Sequence, residues 1–226
     1  MPAPIAVFDL DGTLVDTAPD LIATLNAVLR EAGYAPVAIE DTFNAIGHGS
    51  KAMIEKALAF QGITVDKSAI QRMHEHFLDY YADNISDHSR PFEGVTDLLD
   101  RLAADDVTLA VCTNKLEGLS VRLLTDLGLA DRFAAIIGAD TLDVRKPHPR
   151  HLLSTISRAG GNPERAIMVG DSRTDIDTAK AAEIPVIAVD FGYTDVPVRE
   201  LGPDHVVSHY REIYPLAAPL LGLDAR

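Results

Sequence analysis

The chain has 226 residues, of which 47% are hydrophobic and 24% charged, which is the composition of a globular protein and excludes a disordered one. Acidic residues outnumber basic ones by 34 to 20, and a net charge of −14 repels nucleic acid and anionic membrane surfaces. The single cysteine, Cys112, excludes an internal disulfide, and no apolar stretch approaches the roughly 18 residues of a membrane span. Because the N-terminal segment lacks the basic region of a secretion signal, we expect a cytoplasmic protein without nucleic-acid or membrane partners.

The first apolar run, Ile5–Phe8, predicts a buried strand, and a long helical segment follows it. From about residue 16 to residue 88 the hydrophobic period is helical, and no convincing strand occurs. The predicted helices are Pro19–Ala32, Ile39–Ala45, Lys51–Phe60 and Ser68–Asn84. Gly12 and the turn at residues 90–94 mark the two crossings. We therefore expect a small α-helical cap domain, residues 16–89, inserted into a core domain formed by residues 1–15 and 90–226.

In the rest of the chain, apolar runs rich in Val and Ile alternate with amphipathic stretches. The predicted strands are Val107–Cys112, Ala134–Ile137, Ala166–Val169 and Pro185–Val189. The predicted helices are Val95–Ala103, Leu116–Leu127, Pro149–Ala159 and Thr174–Ala182. Continuous apolar strands alternating with helices predict a doubly wound α/β fold, in which a parallel sheet is covered on both faces. Ligands of such sheets bind beyond the carboxyl ends of the strands.

Two carboxylates follow the first predicted strand, in the sequence Asp9-Leu10-Asp11-Gly12-Thr13. Carboxylates two positions apart at the end of a buried strand can project toward one pocket. Gly12 permits the tight backbone that follows. An acidic pair of this kind is common by itself, so its meaning depends on what stands at the ends of the other strands.

Chemically suitable side chains follow three later predicted strands as well. Small hydrogen-bonding groups, a lysine and further carboxylates at one edge of a sheet suit a phosphate site. Each could instead be an ordinary cap or surface residue, but their common position beyond the strands favours a functional site. They are Thr113-Asn114, Lys146-Pro147 and Gly170-Asp171-Ser172-Arg173-Thr174-Asp175.

These four groups resemble the motifs of the haloacid dehalogenase-like hydrolase superfamily, and the resemblance covers the whole chain, including the inserted cap. Within the superfamily, three further stretches resemble the phosphoglycolate phosphatase branch. These stretches are Ile46-Gly47-His48-Gly49, Cys112-Thr113-Asn114-Lys115 and Phe191-Gly192-Tyr193.

The resemblance implies a mechanism with two carboxylates in different roles. Asp9 would attack phosphorus and form an aspartyl-phosphate, and Asp11 would protonate the leaving group and then activate water. The dehalogenases of the superfamily lack an acid/base aspartate at the place of Asp11, so the resemblance favours phosphate esters. Mutases often carry Glu-Asp where this chain has Gly170-Asp171, which favours hydrolysis.

The resemblance also implies Mg²⁺ as cofactor and a set of binding residues. The metal ligands would be the Asp9 and Asp171 side chains and the Asp11 backbone carbonyl, with Asp175 and Ser172 orienting groups around them. The phosphoryl group would be bound by Thr113, Asn114 and Lys146.

The expected function is a phosphoric monoester hydrolase acting on a small phosphorylated metabolite, with 2-phosphoglycolate as the preferred substrate. A sugar-phosphate phosphatase, a pyrophosphatase and a phosphomutase of the same superfamily are the enzymatic alternatives. A catalytically idle binding protein is the non-enzymatic one. The sequence is compatible with a monomer or a homodimer.

A substrate carboxylate would need a cationic or hydrogen-bonding partner, and the cap offers three candidates. They are His48, in a glycine-flanked loop, then Lys51 and Arg72. Exposed Lys and Arg are ordinary on helices, so these assignments are hypotheses about specificity.

Three residues outside the motifs carry structural expectations. Glu183 stands where relatives often have glycine, and it would cost about 1 kcal/mol if the position needs a left-handed backbone. His148 and His151 bracket a predicted helix start, where solvation or capping is expected.

Overall fold

The computed structural model describes residues 2–223, apart from the side chains at positions 40, 42–44 and 48. The side chain of His48, one of the three candidates for specificity, therefore lies outside the described residues. The chain divides into two compact units. The larger is formed by Met1–Asp16 with Pro91–Arg226, and the smaller by Thr17–Arg90.

The described part of the chain alternates strands and helices, with a purely helical section in the smaller unit. The strands are β1 (Ala3–Phe8), β2 (Val15–Asp16), β3 (Arg90–Pro91), β4 (Thr108–Cys112), β5 (Ala135–Ile137), β6 (Gly161–Gly170), β7 (Val186–Val189) and β8 (His205–Val207). The helices are α1 (Ala18–Glu31), α2 (Ile39–Thr42), α3 (Ser50–Phe60), α4 (Lys67–Asp83), α5 (Val95–Ala104), α6 (Glu117–Asp126), α7 (Pro149–Arg158), α8 (Arg173–Ala181) and α9 (Ile213–Leu220). Among residues 2–223, no helix combines the length and the apolar character needed to cross a membrane.

The larger unit is built on a six-stranded sheet in the order β5-β4-β1-β6-β7-β8, with every neighbouring pair parallel. Residues 5–8 of β1 are completely buried, as expected for a strand covered on both faces. The chain proceeds from β1 to β4 and β5 on one side, and then returns to β6 on the other side of β1. Because strand order reverses at β1, the crevice beyond its carboxyl end is the expected ligand position.

The smaller unit packs α1, α3 and α4 around an apolar interior that includes Leu25, Ile54 and Phe77. Its buried Asp20, near the start of α1, accepts hydrogen bonds from the His88 and Ser89 backbone N–H groups and from the Ser89 hydroxyl. These bonds satisfy a buried carboxylate and join the first helix of the unit to its last residues.

The fold class predicted from the sequence is confirmed, but several elements differ from the predicted ones. The short strands β2 and β3 were not predicted, and β6 begins at Gly161, five residues before the predicted strand Ala166–Val169. The predicted helix Ile39–Ala45 ends at Thr42 and continues as a 3-10 helix, Phe43–His48. The predictions missed β8, which is only three residues long, and α9, which contains Pro219. Proline inside a helix removes a hydrogen bond, so its presence argues against a helix in sequence-based reasoning.

Glu183 adopts the left-handed backbone that its position suggested, with φ +57°. It follows the C-cap of α8, where the Glu183 N–H donates to the Lys180 carbonyl and the Ile184 N–H to the Ala179 carbonyl. This is the Schellman arrangement, which favours glycine because a Cβ atom is strained at positive φ.

We expect Glu183→Gly to stabilise the fold by up to about 1 kcal/mol, because glycine removes this strain. For a chain of this size, the melting temperature should rise by roughly 2–4 °C. Glu183→Ala is the matched control, since it removes the charge and keeps the Cβ atom. A rise with alanine equal to that with glycine would show that charge, and not backbone strain, limits stability here.

Candidate active site

Asp9 and Asp11 lie directly beyond the carboxyl end of β1, in the larger unit. The Asp9 N–H donates to the Val169 carbonyl (2.9 Å), which holds the residue against the end of β6. The Asp9 side chain is almost completely buried, whereas the Asp11 side chain is about one-fifth exposed. Both oxygens of Asp11 accept hydrogen bonds from the Lys115 ammonium, at 2.9 and 3.2 Å.

Asp171 follows β6 and is held from two sides. Its Oδ1 accepts a hydrogen bond from the Thr13 hydroxyl (2.8 Å), and its Oδ2 accepts one from the Tyr193 backbone N–H (2.6 Å). A Cβ atom at Gly12 would lie 2.5 Å from Asp171 Oδ2, and one at Gly192 would lie 2.3 Å from Asp171 Cβ. Glycine is therefore required at both positions for the carboxylate to occupy this place.

Asp175 lies in the first turn of α8 and organises the loop before it. Its Oδ2 accepts hydrogen bonds from the backbone N–H groups of Asp171 (3.2 Å) and Ser172 (3.1 Å) and from the Ser172 hydroxyl (2.6 Å). Ser172 is the N-cap of α8 and forms a capping box with Asp175. A Cβ atom at Gly170 would lie 2.4 Å from Asp175 Cβ, so this turn also needs glycine.

Lys146 brings a positive charge between two of these carboxylates. Its ammonium donates a hydrogen bond to Asp175 Oδ1 (2.5 Å) and lies 2.9 Å from Asp9 Oδ1. The second contact is an ion pair without hydrogen-bond geometry, and Asp9 Oδ1 is a buried acceptor that receives no hydrogen bond in the part of the chain described. The Lys146 loop is tied to the end of β4, because Asn114 Nδ2 donates to the Lys146 carbonyl (3.0 Å).

Thr113 and Asn114 follow β4, beside β1. Thr113 is buried; its N–H donates to the Ile137 carbonyl, and its Oγ1 accepts a hydrogen bond from the Lys115 N–H (3.2 Å). This acceptor role leaves the hydroxyl proton available for another acceptor. The structure thus brings together at one edge of the sheet the motif residues Asp9, Asp11, Thr113, Asn114, Lys146, Asp171, Ser172 and Asp175.

The buried carboxylates repel one another. Burial, followed by the charge of Asp175, raises the pKa of Asp9 from 3.8 to about 6, although Lys146 opposes the change. Burial and the charges of Asp175 and Asp9 likewise raise the pKa of Asp171 well above 3.8, against the hydrogen bonds from Thr13 and Tyr193. Burial alone would lower the pKa of Lys146, but Asp175 and Asp9 outweigh it and raise the pKa. Lys146 is therefore charged throughout the neutral range.

The same carboxylates fit a hard divalent cation. One oxygen from each of Asp9, Asp171 and Asp175 lies within 4.8 Å of the others, and all three residues are buried. Together with Lys146 they carry a net charge of −2 when ionised, which a divalent cation would balance. An all-oxygen donor set with a buried acceptor lacking a hydrogen bond suits Mg²⁺ chemistry.

Three residues take part in the site without having been assigned a role from the sequence. Thr13 and Tyr193 bind Asp171, and Lys115 pairs with Asp11. Thr13 and Lys115 adjoin predicted site residues, so their proximity to the site could have been inferred. The contribution of Tyr193 through its backbone N–H could not, because any residue but proline has that group.

Two candidates for specificity lie in the smaller unit. Lys51 is exposed in the first turn of α3. Arg72 is exposed on α4, donates to the Ser68 hydroxyl (3.0 Å), and lines a cavity of about 460 Å³ together with Glu31 and His76. His76 Nε2 lies 3.3 Å from Glu31 Oε2, so the lining of this cavity already includes a carboxylate.

The expectation for the two histidines at α7 is confirmed for one and wrong for the other. His148 is the N-cap and its Nδ1 accepts from the Arg150 N–H. His151 is neither solvated nor a cap: it is fully buried, with Nε2 3.0 Å from the Gly138 carbonyl and Nδ1 3.2 Å from Cys112 Sγ. Since a carbonyl only accepts, Nε2 carries a proton. Burial raises the pKa of Cys112 to about 12, so this thiol stays protonated.

The sequence matches the model of the haloacid dehalogenase-like hydrolase family over residues 6–189. It is 52% identical over 210 residues to a phosphoglycolate phosphatase of Mesorhizobium japonicum, covering 93% of this chain and 92% of that one. It is 47% identical over 213 residues to a phosphoglycolate phosphatase of Agrobacterium fabrum, covering 94% and 91% of the two chains.

Solved structures show the same fold. A crystal structure of a predicted phosphoglycolate phosphatase from Haemophilus somnus superimposes with a TM-score of 0.88 at 27% identity, covering 96% of this chain and 98% of that one. A β-phosphoglucomutase from Clostridium difficile superimposes with a TM-score of 0.75 at 19% identity, covering 97% of each chain. The second likeness concerns the fold alone, so the reaction must be argued from the site.

Proposed function

The chain belongs to the haloacid dehalogenase-like hydrolase family, and on that premise we propose that it hydrolyses a small phosphate monoester, 2-phosphoglycolate, through transfer of the phosphoryl group to Asp9. The observation that carries the proposal is the state of Asp9 itself. It is a buried carboxylate whose Oδ1 lies 2.9 Å from the Lys146 ammonium, and the carboxylate of Asp171 is close to it. A carboxylate nucleophile needs positive charge beside it, because that charge favours the ionised form that attacks phosphorus.

In the first step, an Asp9 oxygen forms a bond to phosphorus and the bond from phosphorus to the ester oxygen breaks. Asp11 donates a proton to that ester oxygen, so the alcohol leaves neutral. Asp11 suits this role because its carboxylate is partly exposed and lies two residues from the nucleophile, beyond the same strand.

In the second step, water attacks phosphorus, the bond from phosphorus to Asp9 breaks, and Asp11 takes a proton from the water. Free phosphate leaves, and Asp9 regains its negative charge. Dividing the reaction in this way replaces one difficult displacement with two easier ones.

Lys146, Thr113 and the Asn114 backbone N–H would bind the phosphoryl oxygens, on which negative charge accumulates during transfer. Asn114 also fixes the Lys146 loop through its side-chain amide. Asp175 and Ser172 are positioning residues, since Asp175 holds the Lys146 ammonium and the N–H of Asp171.

Mg²⁺ is the cofactor of this proposal, held by the Asp9 and Asp171 side chains and by the Asp11 backbone carbonyl. A bound Mg²⁺ supplies positive charge that offsets the carboxylates and the substrate phosphate. Thr13 and Tyr193 keep Asp171 oriented for this role through their hydrogen bonds.

The choice of 2-phosphoglycolate among phosphate esters is supported by the names of the relatives, at up to 52% identity over most of the chain. His48, Lys51 and Arg72 of the cap remain proposals for residues that select the substrate.

We expect Mg²⁺-dependent phosphate release from 2-phosphoglycolate that exceeds release from sugar phosphates, pyrophosphate and nucleotides. EDTA should abolish it, and Asp9→Asn should lower kcat by at least about 10⁴-fold, because the amide is a poor nucleophile. Phosphate release is measured for each ester, and sugar phosphates are also examined for isomerised product. Turnover by Asp9→Asn at the wild-type rate would contradict the mechanism, and isomerisation without phosphate release would identify a mutase.

We also expect Mg²⁺ to stabilise the fold, by about 2.7 kcal/mol at a concentration one hundred times its Kd. Asp171→Asn should remove most of this stabilisation because it removes a ligand charge. Asp177→Asn is the matched control, since Asp177 is an exposed carboxylate on α8, the helix that follows Asp171. Melting temperatures with and without Mg²⁺ test this. An equal Mg²⁺ shift in wild type and Asp171→Asn would show that the ion binds elsewhere.

A further inference from the structure

We propose that Lys115 is the residue that recognises the carboxylate of the substrate, an inference that rests on the proposed function and deepens it. Lys115 lies in the loop between β4 and α6, in the larger unit, and had no role in the sequence-based predictions. Its ammonium is nearly buried and makes hydrogen bonds to both oxygens of Asp11.

The position of Asp11 determines what Lys115 can reach. A general acid must come within about 2.6–3.2 Å of the ester oxygen that it protonates. In 2-phosphoglycolate one methylene carbon separates that oxygen from the carboxyl carbon, so the carboxylate oxygens lie roughly 3 Å from it by ordinary bond lengths. The Lys115 Nζ atom is 2.9 Å from Asp11 Oδ1. An ester oxygen in contact with Asp11 therefore brings the substrate carboxylate within reach of Lys115.

Charge also favours Lys115. The site has three buried carboxylates that would repel a carboxylate of the substrate. Lys146 is already held between Asp9 and Asp175, and it is the cation expected to meet the phosphoryl group. A second anionic group on the substrate needs a second cation, and Lys115 lies on the side of Asp11, where the leaving group must be.

The backbone of Lys115 is fixed, as a recognition residue requires. Its N–H donates to Thr113 Oγ1 (3.2 Å) and its carbonyl accepts from the Ala139 N–H (2.9 Å). A Cβ atom at Gly138 would lie 2.7 Å from the Lys115 carbonyl oxygen, so the two loops are in close contact. The ammonium is thus presented from a rigid part of the sheet edge, which lowers the entropic cost of binding.

Arg72 is less suited to this task. It shares its cavity with Glu31, whose charge opposes an anion there.

The test is a double-mutant-type cycle, in which the Lys115 ammonium and the substrate carboxylate are removed separately and together. Wild type and Lys115→Met are each measured on 2-phosphoglycolate and on 2-hydroxyethyl phosphate, which has a hydroxymethyl group in place of the carboxylate. We expect Lys115→Met to lower kcat/KM for 2-phosphoglycolate about 10- to 100-fold more than for 2-hydroxyethyl phosphate, mainly through KM. Lys51→Met, the competing candidate of the cap, is measured on the same two esters. Lys67→Met is the matched control, since it removes an exposed lysine of α4 that has no place in the site, and it should show less than about a threefold difference between the two esters.

Equal losses on the two esters would overturn the inference, because Lys115 would then act only through Asp11. A differential loss in Lys51→Met that is absent from Lys115→Met would also overturn it. In either case the wild type still hydrolyses 2-phosphoglycolate, so the proposed function stands. A wild type that hydrolyses both esters equally, or neither, contradicts the proposed function itself.

A second variant keeps the test informative if Lys115→Met does not fold. Lys115→Cys can be aminoethylated with 2-bromoethylamine, which restores an ammonium on a side chain of similar length. The native thiol, Cys112, is buried with a pKa of about 12 and should not react in the folded protein. We expect aminoethylation to restore the preference for 2-phosphoglycolate and iodoacetamide to leave it lost. Recovery with neither reagent, or equally with both, would contradict the role of the charge.

Discussion

The site depends on the mutual repulsion of three carboxylates that are buried within 4.8 Å of one another. Such a cluster is costly unless positive charge is brought into contact with it. The protein supplies one charge, from Lys146, and leaves an excess of negative charge that a divalent cation and the chemistry of phosphoryl transfer can use. Burial, and after it the charges of the neighbouring carboxylates, raises the pKa values of Asp9 and Asp171.

The rest of the fold serves to hold these groups at one place. Parallel strands bring the ends of β1, β4 and β6 to one edge of the sheet, so residues more than 100 positions apart in sequence come into hydrogen-bond contact, as Thr13 and Asp171 do. Glycines next to Asp171 and Asp175 remove the Cβ atoms that would exclude the carboxylates. The fold is therefore less stable at this place than it could be, because its residues hold the charged carboxylates in a fixed arrangement.

The sequence was sufficient for the fold class and for the position of the motif residues at one edge of the sheet, because strand periodicity and the strand-end position of each motif are local properties. It was insufficient for contacts set by the tertiary structure. Lys115 and Tyr193 lie in stretches that the resemblance singled out, but the pairing of Lys115 with Asp11 and the Tyr193 N–H bond to Asp171 join segments far apart in the chain. His151 was misjudged for the same reason, since its burial depends on how α7 packs against β4 and β5. The short strand β8 and the proline-containing α9 gave too weak a signal.

The central claim is that Asp9 is the group that accepts the phosphoryl group. The most direct measurement is to quench the enzyme during turnover, reduce it with borohydride and analyse the peptide that contains residue 9 by mass spectrometry. Borohydride converts an aspartyl-phosphate to homoserine and leaves a free aspartate unchanged. We predict homoserine at position 9 in the presence of substrate and its absence without substrate. Phosphate release without any reduced product at position 9, or with one at another carboxylate, would contradict the account.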